Sequence, residues 1–203
     1  MNTQLVDFPT LYFGTPVAIL SNQNTDGTTN LTPISSWWIL EKSIVIGLGT
    51  SSKCYENLLH NPDIVLNIPD STLWTKIEAL GATTGKDVIP SFKEKLGFRI
   101  EKDKFSCSGL TETKSLAVSP GRIQECPIQI EARIINSMFI GNSGMELVSL
   151  EASILNTYIS DNVLCEVDNN YRFNVERWQP LYYVFRHYFS LGKYLGKNFR
   201  CDE

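Results

Sequence analysis

Two short stretches hold the side chains best suited to chemistry. In Thr32-Pro33-Ile34-Ser35-Ser36-Trp37-Trp38 a proline, two adjacent hydroxyls and two adjacent indoles sit inside a strand-like pattern. Proline cannot donate to a β-ladder, so a strand that carries one belongs at a sheet edge or at a bulge. An edge leaves backbone N–H and C=O groups open to a ligand, Ser35 and Ser36 add donors, and an indole offers a flat apolar surface. A planar heteroaromatic molecule with carbonyl and ring-nitrogen acceptors suits that combination. An aromatic core strand with an irregular start fits the same seven residues.

The second stretch is GTSSKCYENL, residues 49–58. Ser51 or Ser52 at the N-cap of a short helix would face free backbone N–H groups at the positive end of the helix dipole, and Lys53 adds a full charge; phosphate is the obvious guest. A capped surface helix with a solvated lysine is the competing reading. In a third segment, residues 101–132, Lys102, Lys104, Lys114 and Arg122 are spread through Gly- and Ser-containing loops, where lysines are usually solvated. There is no Gly-x-Ser-x-Gly motif, and the paired acids Asp202-Glu203 sit at the terminus.

The elements that must position these residues read mostly as strands. Thr15–Asn22 and Asn30–Trp38 flank an Asp26-Gly27 turn signal and form a hairpin, and Ser43–Gly49 is a β-branched run that fits a buried strand. A short helix after Gly49 stops at Asn61-Pro62, Ile64–Ile68 returns to strand, and Ser71–Leu80 and Pro90–Leu96 read as helices closed by glycine. Pro127–Ile140 and Glu146–Ile159 are long alternating runs that form an antiparallel hairpin through GNSG, residues 141–144. Hairpin-linked strands with short helices between them favour a mainly β fold, a barrel with helical decoration, over a doubly wound sheet.

Composition narrows the function classes. The 203 residues suffice for one domain with a sizeable core, and the hydrophobic fraction of 42% and charged fraction of 20% are those of an ordinary globular chain. A formal charge of −4 without a basic run argues against nucleic acid as a partner. No apolar run reaches the roughly 18 residues of a spanning helix, and the opening residues lack a signal-like pattern, so the expectation is a cytoplasmic protein with no membrane partner. Five widely spaced cysteines without C-x-x-C predict reduced, mostly buried thiols, and two histidines make a histidine-rich metal site improbable.

Taken in order, these blocks resemble the flavin reductase-like family of the FMN-binding split β-barrel fold, including its flavoredoxin-like branch. The resemblance runs from about Phe13 to Phe199 through TPVAILS…DGTTNLTPISSWW, GTSSKCYENL with PDIVLNIP, TTGKDVIPSFKEKLGF…EKDKFSCSGLT with SPGRIQECPIQIEARI, and YYVFRHYFSLGKYLGKNFR. It implies one domain over residues 1–203 with a C-terminal extension from about 176. It also implies an FMN cofactor (FAD possible), NAD(P)H as electron donor, a homodimer, and an NAD(P)H:flavin reductase. An FMN electron carrier serving an acceptor protein and an oxygen-activating flavoprotein are the alternatives. The implied flavin contacts are Asn30, Thr32, Pro33, Ile34, Ser35, Ser36 and Trp37 along the ring, Thr50, Ser51, Ser52, Lys53 and Tyr55 toward the phosphate, and Asn67 and Lys104.

The family often carries a histidine in the turn before the last long strand; here it reads Asn142-Ser143-Gly144, which puts a proton-donating role for that turn in doubt. Trp37 is open as a ligand contact, Trp38 and Trp74 are expected in the core, and His187 is expected as a structural residue near a C-terminal lid. The aromatic cluster Tyr182, Tyr183, Phe185, Tyr188 and Phe189 is too apolar for a freely solvated tail and is expected to pack beside the flavin.

Overall fold

The computed structural model describes residues 2–7, 11–141, 146–167 and 170–198. Its main sheet contains β2 (Ala18–Gln23), β3 (Thr29–Ile34), β4 (Trp37–Leu40), β5 (Ser43–Gly49), β6 (Asp63–Ile68), β7 (Ile128–Ile140) and β8 (Leu147–Ile159). These run β3-β2-β6-β7-β8-β5-β4, and every neighbouring pair is antiparallel. A second, three-stranded sheet joins β1 (Thr15–Pro16) to β9 (Tyr182–Val184) and β10 (His187–Phe189).

The expected strand Asn30–Trp38 is in fact two strands. It breaks at Ser35-Ser36, and its halves, β3 and β4, form opposite edges of the seven-stranded sheet. Ile34 and Trp37 are three Cα steps apart, at most about 11 Å, so five intervening strands can be accommodated only if the sheet curls until its edges nearly meet. The edges do not pair, and the result is a split β-barrel, mainly β with short helices. At the seam the Gly47 N–H donates to the Ser36 carbonyl (2.7 Å), and a Cβ on Gly47 would lie 3.2 Å from the Ser36 Cβ. Glycine is what permits that approach.

Local chemistry explains the remaining elements. At the β2–β3 turn the Asp26 carboxylate accepts from the Thr28 N–H (3.0 Å) and hydroxyl (2.6 Å), and Gly27 takes a φ of 87°. Helix α1 (Lys53–Leu58) is capped by Ser52, whose Oγ accepts from the Tyr55 N–H at 3.1 Å. Helix α2 (Trp74–Gly81) follows a 3-10 turn that Asp70 caps, and α3 (Ser91–Glu94) is a single turn. Helix α4 (Lys104–Ser108) was not expected: Asp103 caps it and Gly109, at φ 64°, ends it. Lys104 is therefore no loop lysine. No helix among the described residues is long and apolar enough to cross a membrane.

Two apolar clusters form the core. One fills the barrel with Ala18, Leu20, Ile44, Ile46, Ile64, Leu66 and Leu150. The other lies on the outer face of β2, β3 and β6, where Ile19 and Leu31 meet Ile77 and Leu80 of α2 together with Ile123 and Leu181. Cys54, Cys107, Cys126 and Cys165 are free, the first and third buried, and Cys201 lies outside the described residues. Burial pushes the Cys54 thiol up to about 12, which makes it inert near neutrality.

Trp38 and Trp74 depart from expectation, being 55% and 48% exposed. Trp38 takes the outward position in the alternation of β4, and Trp74 opens α2 against Tyr188, 6.3 Å between ring centroids.

Candidate functional site

A cleft of about 370 Å³ runs along β3. Its floor is Thr32, Pro33, Ile34 and Ser35; Ser52 and Lys53 enter from α1, Leu80 and Gly81 from α2, and Lys104 from α4. Thr83, Thr84, Lys93 and Phe98 close one side, and Tyr12, Tyr183 and Tyr188 another. Register gives the cleft a direction. Asn22, paired with Asn30, donates from Nδ2 to the Cys54 carbonyl (2.8 Å), which fixes α1 near the start of β3. Ala18 pairs with Ile34, and the preceding Val17 N–H donates to the Leu181 carbonyl (2.8 Å), which brings the tyrosines to the other end.

The edge position of β3 resolves the proline. The Leu31 carbonyl accepts from Lys104 Nζ (2.7 Å), so it points away from β2. Residues two apart on a strand turn their backbone groups the same way, so the N–H that Pro33 lacks belongs to the open side and costs the β2 ladder nothing. The Pro33 carbonyl remains as an acceptor there.

Electrostatically the cleft is one-sided. Lys53, Lys93 and Lys104 line it, and no lining residue is acidic. Lys104 is 3% exposed, and burial, opposed by the Cys54 thiol and reinforced by the Lys93 charge, pulls its ammonium down to about 8. Burial and the charge of Lys86 likewise lower Lys93, whose Nζ lies 5.4 Å from the centre of the Phe98 ring. Lys53 is held by Glu56 (2.5 Å), which also meets Lys86 (3.4 Å). Ser52 Oγ accepts from the helix cap, so its proton remains available to an anion. A Cβ on Gly85 would sit 3.0 Å from Asn30 Oδ1 and 3.1 Å from Lys53 Cγ, so glycine lets this segment close on the lysine.

Of the expected contacts, Thr32, Pro33, Ile34, Ser35, Ser52, Lys53 and Lys104 converge on the cleft. The others lie elsewhere. Asn30 is buried beneath, donating to Asn22 Oδ1 (2.9 Å) and Thr32 Oγ1 (3.2 Å). Asn67 is fully buried on the outer face, donating to the Ile19 carbonyl and Ser21 Oγ and accepting from the Ile123 N–H. Trp37 Nε1 donates to the Pro16 carbonyl (2.8 Å) while its ring packs on the barrel core, and Ser36 belongs to the seam. Thr50 turns to Glu146, Ser51 lies near Gly49, and Tyr55 packs on the barrel core. The turn Asn142-Ser143-Gly144 lies outside the described residues.

Thr83, Thr84, Lys93, Phe98 and Tyr12 line the cleft without having been singled out. Four of them fall in the block TTGKDVIPSFKEKLGF, yet no local pattern distinguishes Lys93 from Lys95. His187 is exposed and sits on β10 beside the tyrosine wall.

The donor set fits a flavin phosphate: ammonium groups and hydroxyls at one end, an open strand edge along the middle, and aromatic rings at the other. A family model described as "Flavin reductase like domain" matches residues 10–192. The Bacillus subtilis (strain 168) protein YdfE is 38% identical over 192 residues, covering 95% of this chain and 91% of that protein. The flavoredoxin of Desulfovibrio vulgaris (Miyazaki F) superposes with a TM-score of 0.76 at 19% identity, over 98% of each chain. Nitrilotriacetate monooxygenase component B from Bacillus cereus does so at 0.77 and 15%, over 97% of this chain and 100% of that one. With strand order, cleft and sequence match in agreement, this chain belongs to the flavin reductase-like family.

Proposed function

We propose that the protein is an NAD(P)H:flavin oxidoreductase with FMN as its cofactor. The observation that carries this reading is the cleft along β3, with three lysines and no acidic residue in its lining. Lys53 and Ser52 would hold the phosphate. The Leu31–Ser35 edge and Lys104 would orient the ring through backbone acceptors and a buried ammonium, and Tyr12, Tyr183 and Tyr188 would exclude water at the far end. A bound flavin supplies the hydride chemistry, while the protein binds, orients and tunes it. That division of labour is consistent with a site that has no nucleophile–base pair.

We also propose a homodimer. Trp38, Leu40, Ile135, Met138 and Leu155 leave an apolar outer face on β4, β7 and β8 that a second copy would cover.

Anaerobic stopped-flow mixing of FMN-loaded protein with NADH or NADPH tests the reading. Rapid bleaching of flavin absorbance is expected. FMN that binds but is bleached by neither donor would favour a carrier reduced by another protein, and FMN fluorescence unchanged across a micromolar titration would remove the flavin reading.

A further inference from the structure

Beyond the flavin cleft lies a second cavity that the proposed reaction leaves without a role. It measures about 670 Å³ and includes Trp74, Glu78, Arg186, His187, Tyr188 and Phe189 in its lining. Tyr188 lines both cavities, and its hydroxyl donates to Glu78 Oε2 at 3.0 Å, so the two cavities meet at this side chain.

Three features of this cavity point to a ligand. The β9–β10 hairpin turns on Phe185 and Arg186, at φ 44° and 69°, a left-handed conformation that bulky side chains rarely adopt. Arg186 of that turn lines the cavity, and among the described residues no carboxylate lies within ion-pairing distance of it. The Trp74 indole is 48% exposed and offers a stacking surface for a planar base.

Space decides which ligand. With FMN in the first cleft, as proposed above, a dinucleotide that brings its nicotinamide there must place its adenosine half beyond it. A further cavity, around Arg122 and Tyr158, shares no lining residue with the flavin cleft, whereas this one shares Tyr188 with it. Building on the flavin reductase reading, we propose that this cavity binds the adenosine diphosphate half of a dinucleotide, with Arg186 and His187 at the phosphates and Trp74 under the adenine. The nicotinamide donor is the source that the geometry favours; FAD contains the same group.

The test begins with FMN-loaded protein, whose quenched fluorescence reports both folding and the flavin site. Calorimetric titration with ADP-ribose should show binding to the wild type that Arg186→Gln and Trp74→Ala each weaken roughly tenfold or more. FMN affinity should stay within about twofold in both variants. If the donor is the source, the half-saturating NADH or NADPH concentration for anaerobic bleaching rises in parallel, while bleaching by reduced nicotinamide mononucleotide, which lacks the adenylate, is unchanged. A selective loss of FAD affinity with unchanged donor behaviour would assign the cavity to FAD. Absence of ADP-ribose binding, or equal binding by wild type and both variants, overturns the proposal while FMN quenching still stands. A failure of FMN to bind is seen at the loading step and overturns both readings.

Discussion

The two halves of the curled sheet are finished differently. Strands β2, β3 and β6 are covered on both faces: Ala18 and Leu20 turn into the barrel, Val17 and Ile19 turn out under α2 and Leu181, and every residue of β6 is buried. Strands β4 and β5 and the far ends of β7 and β8 are covered once. Ile44, Ile46, Val148 and Leu150 point inward, while Trp38, Leu40 and Met138 point to solvent at 55 to 66% exposure. The second layer supplies α2, α4 and the tyrosine hairpin, which are walls of the cleft, so ligand chemistry is confined to the doubly covered half. The singly covered half has apolar surface that no described residue covers.

The contrast can be broken most sharply from the core. Ile19→Ala, on a fully buried strand between both layers, should lower stability by about 2–5 kcal/mol, and Leu40→Ala should stay within about 0.5 kcal/mol, as read by urea unfolding at a concentration low enough to keep the chain monomeric. Comparable losses would mean that the outer face is covered within the chain itself. Next in size, Lys53→Ala should weaken FMN by about 1.5–3 kcal/mol and leave riboflavin nearly unaffected, since only FMN carries the phosphate. Equal losses would place Lys53 in folding or at the ring.

A smaller effect sharpens the role of Lys104. Its amine titrates near 8 in the folded chain, below its ordinary value, because burial disfavours the ammonium. The cost of burying that charge is fully present below pH 8 and is relieved as pH rises from about 8 toward about 10.4, so this group makes stability increase across that window. A ligand that accepts from the ammonium favours the protonated form. Affinity for riboflavin, which has no phosphate to titrate, should therefore be flat from pH 6 to 7.5 and fall by up to about tenfold per unit above pH 8, and Lys104→Met should remove the slope. A wild-type profile flat through pH 9 would take Lys104 out of the binding step. Smallest in stability, Trp38→Ser should change unfolding of the monomeric chain by no more than about 0.5 kcal/mol. Paired with Met138→Ser, it should nevertheless convert a dimer to a monomer by light scattering; a wild type that is already monomeric would leave the apolar face to another partner.

Much of the fold was legible because its signals are local. The β5 and β6 runs, the Asp26-Gly27 hairpin, the Ser52 cap and the long β7–β8 hairpin all lie within a few residues of where sequence pattern puts them. Pro33 announced an edge because proline has one acceptable place in a sheet. What failed to show was any property set by distant packing. Lys104 looks like every other lysine in a Gly- and Ser-rich segment until α4 closes over it, although Asp103 and Gly109 bracket a short helix that capping rules could have found. Asn67 and Trp37 have side chains suited to a ligand, yet each is consumed by a backbone partner far away in sequence. The break at Ser35-Ser36 was hidden because both halves look like strand, and only the global order sends them to opposite edges.

That break sets a limit on how the chain can vary. Surface connections usually accept added residues at small entropic cost, because lengthening a loop loosens nothing but the loop. The Ser35-Ser36 link is different: its span dictates the girth of the barrel, and each inserted residue would let the seam open by up to about 3.3 Å. The same link continues directly from Thr32–Ser35, the floor of the cleft. Insertions in this family should therefore gather in turns such as Asn24–Thr28 and avoid the seam, where one extra residue would alter barrel diameter and ligand fit together.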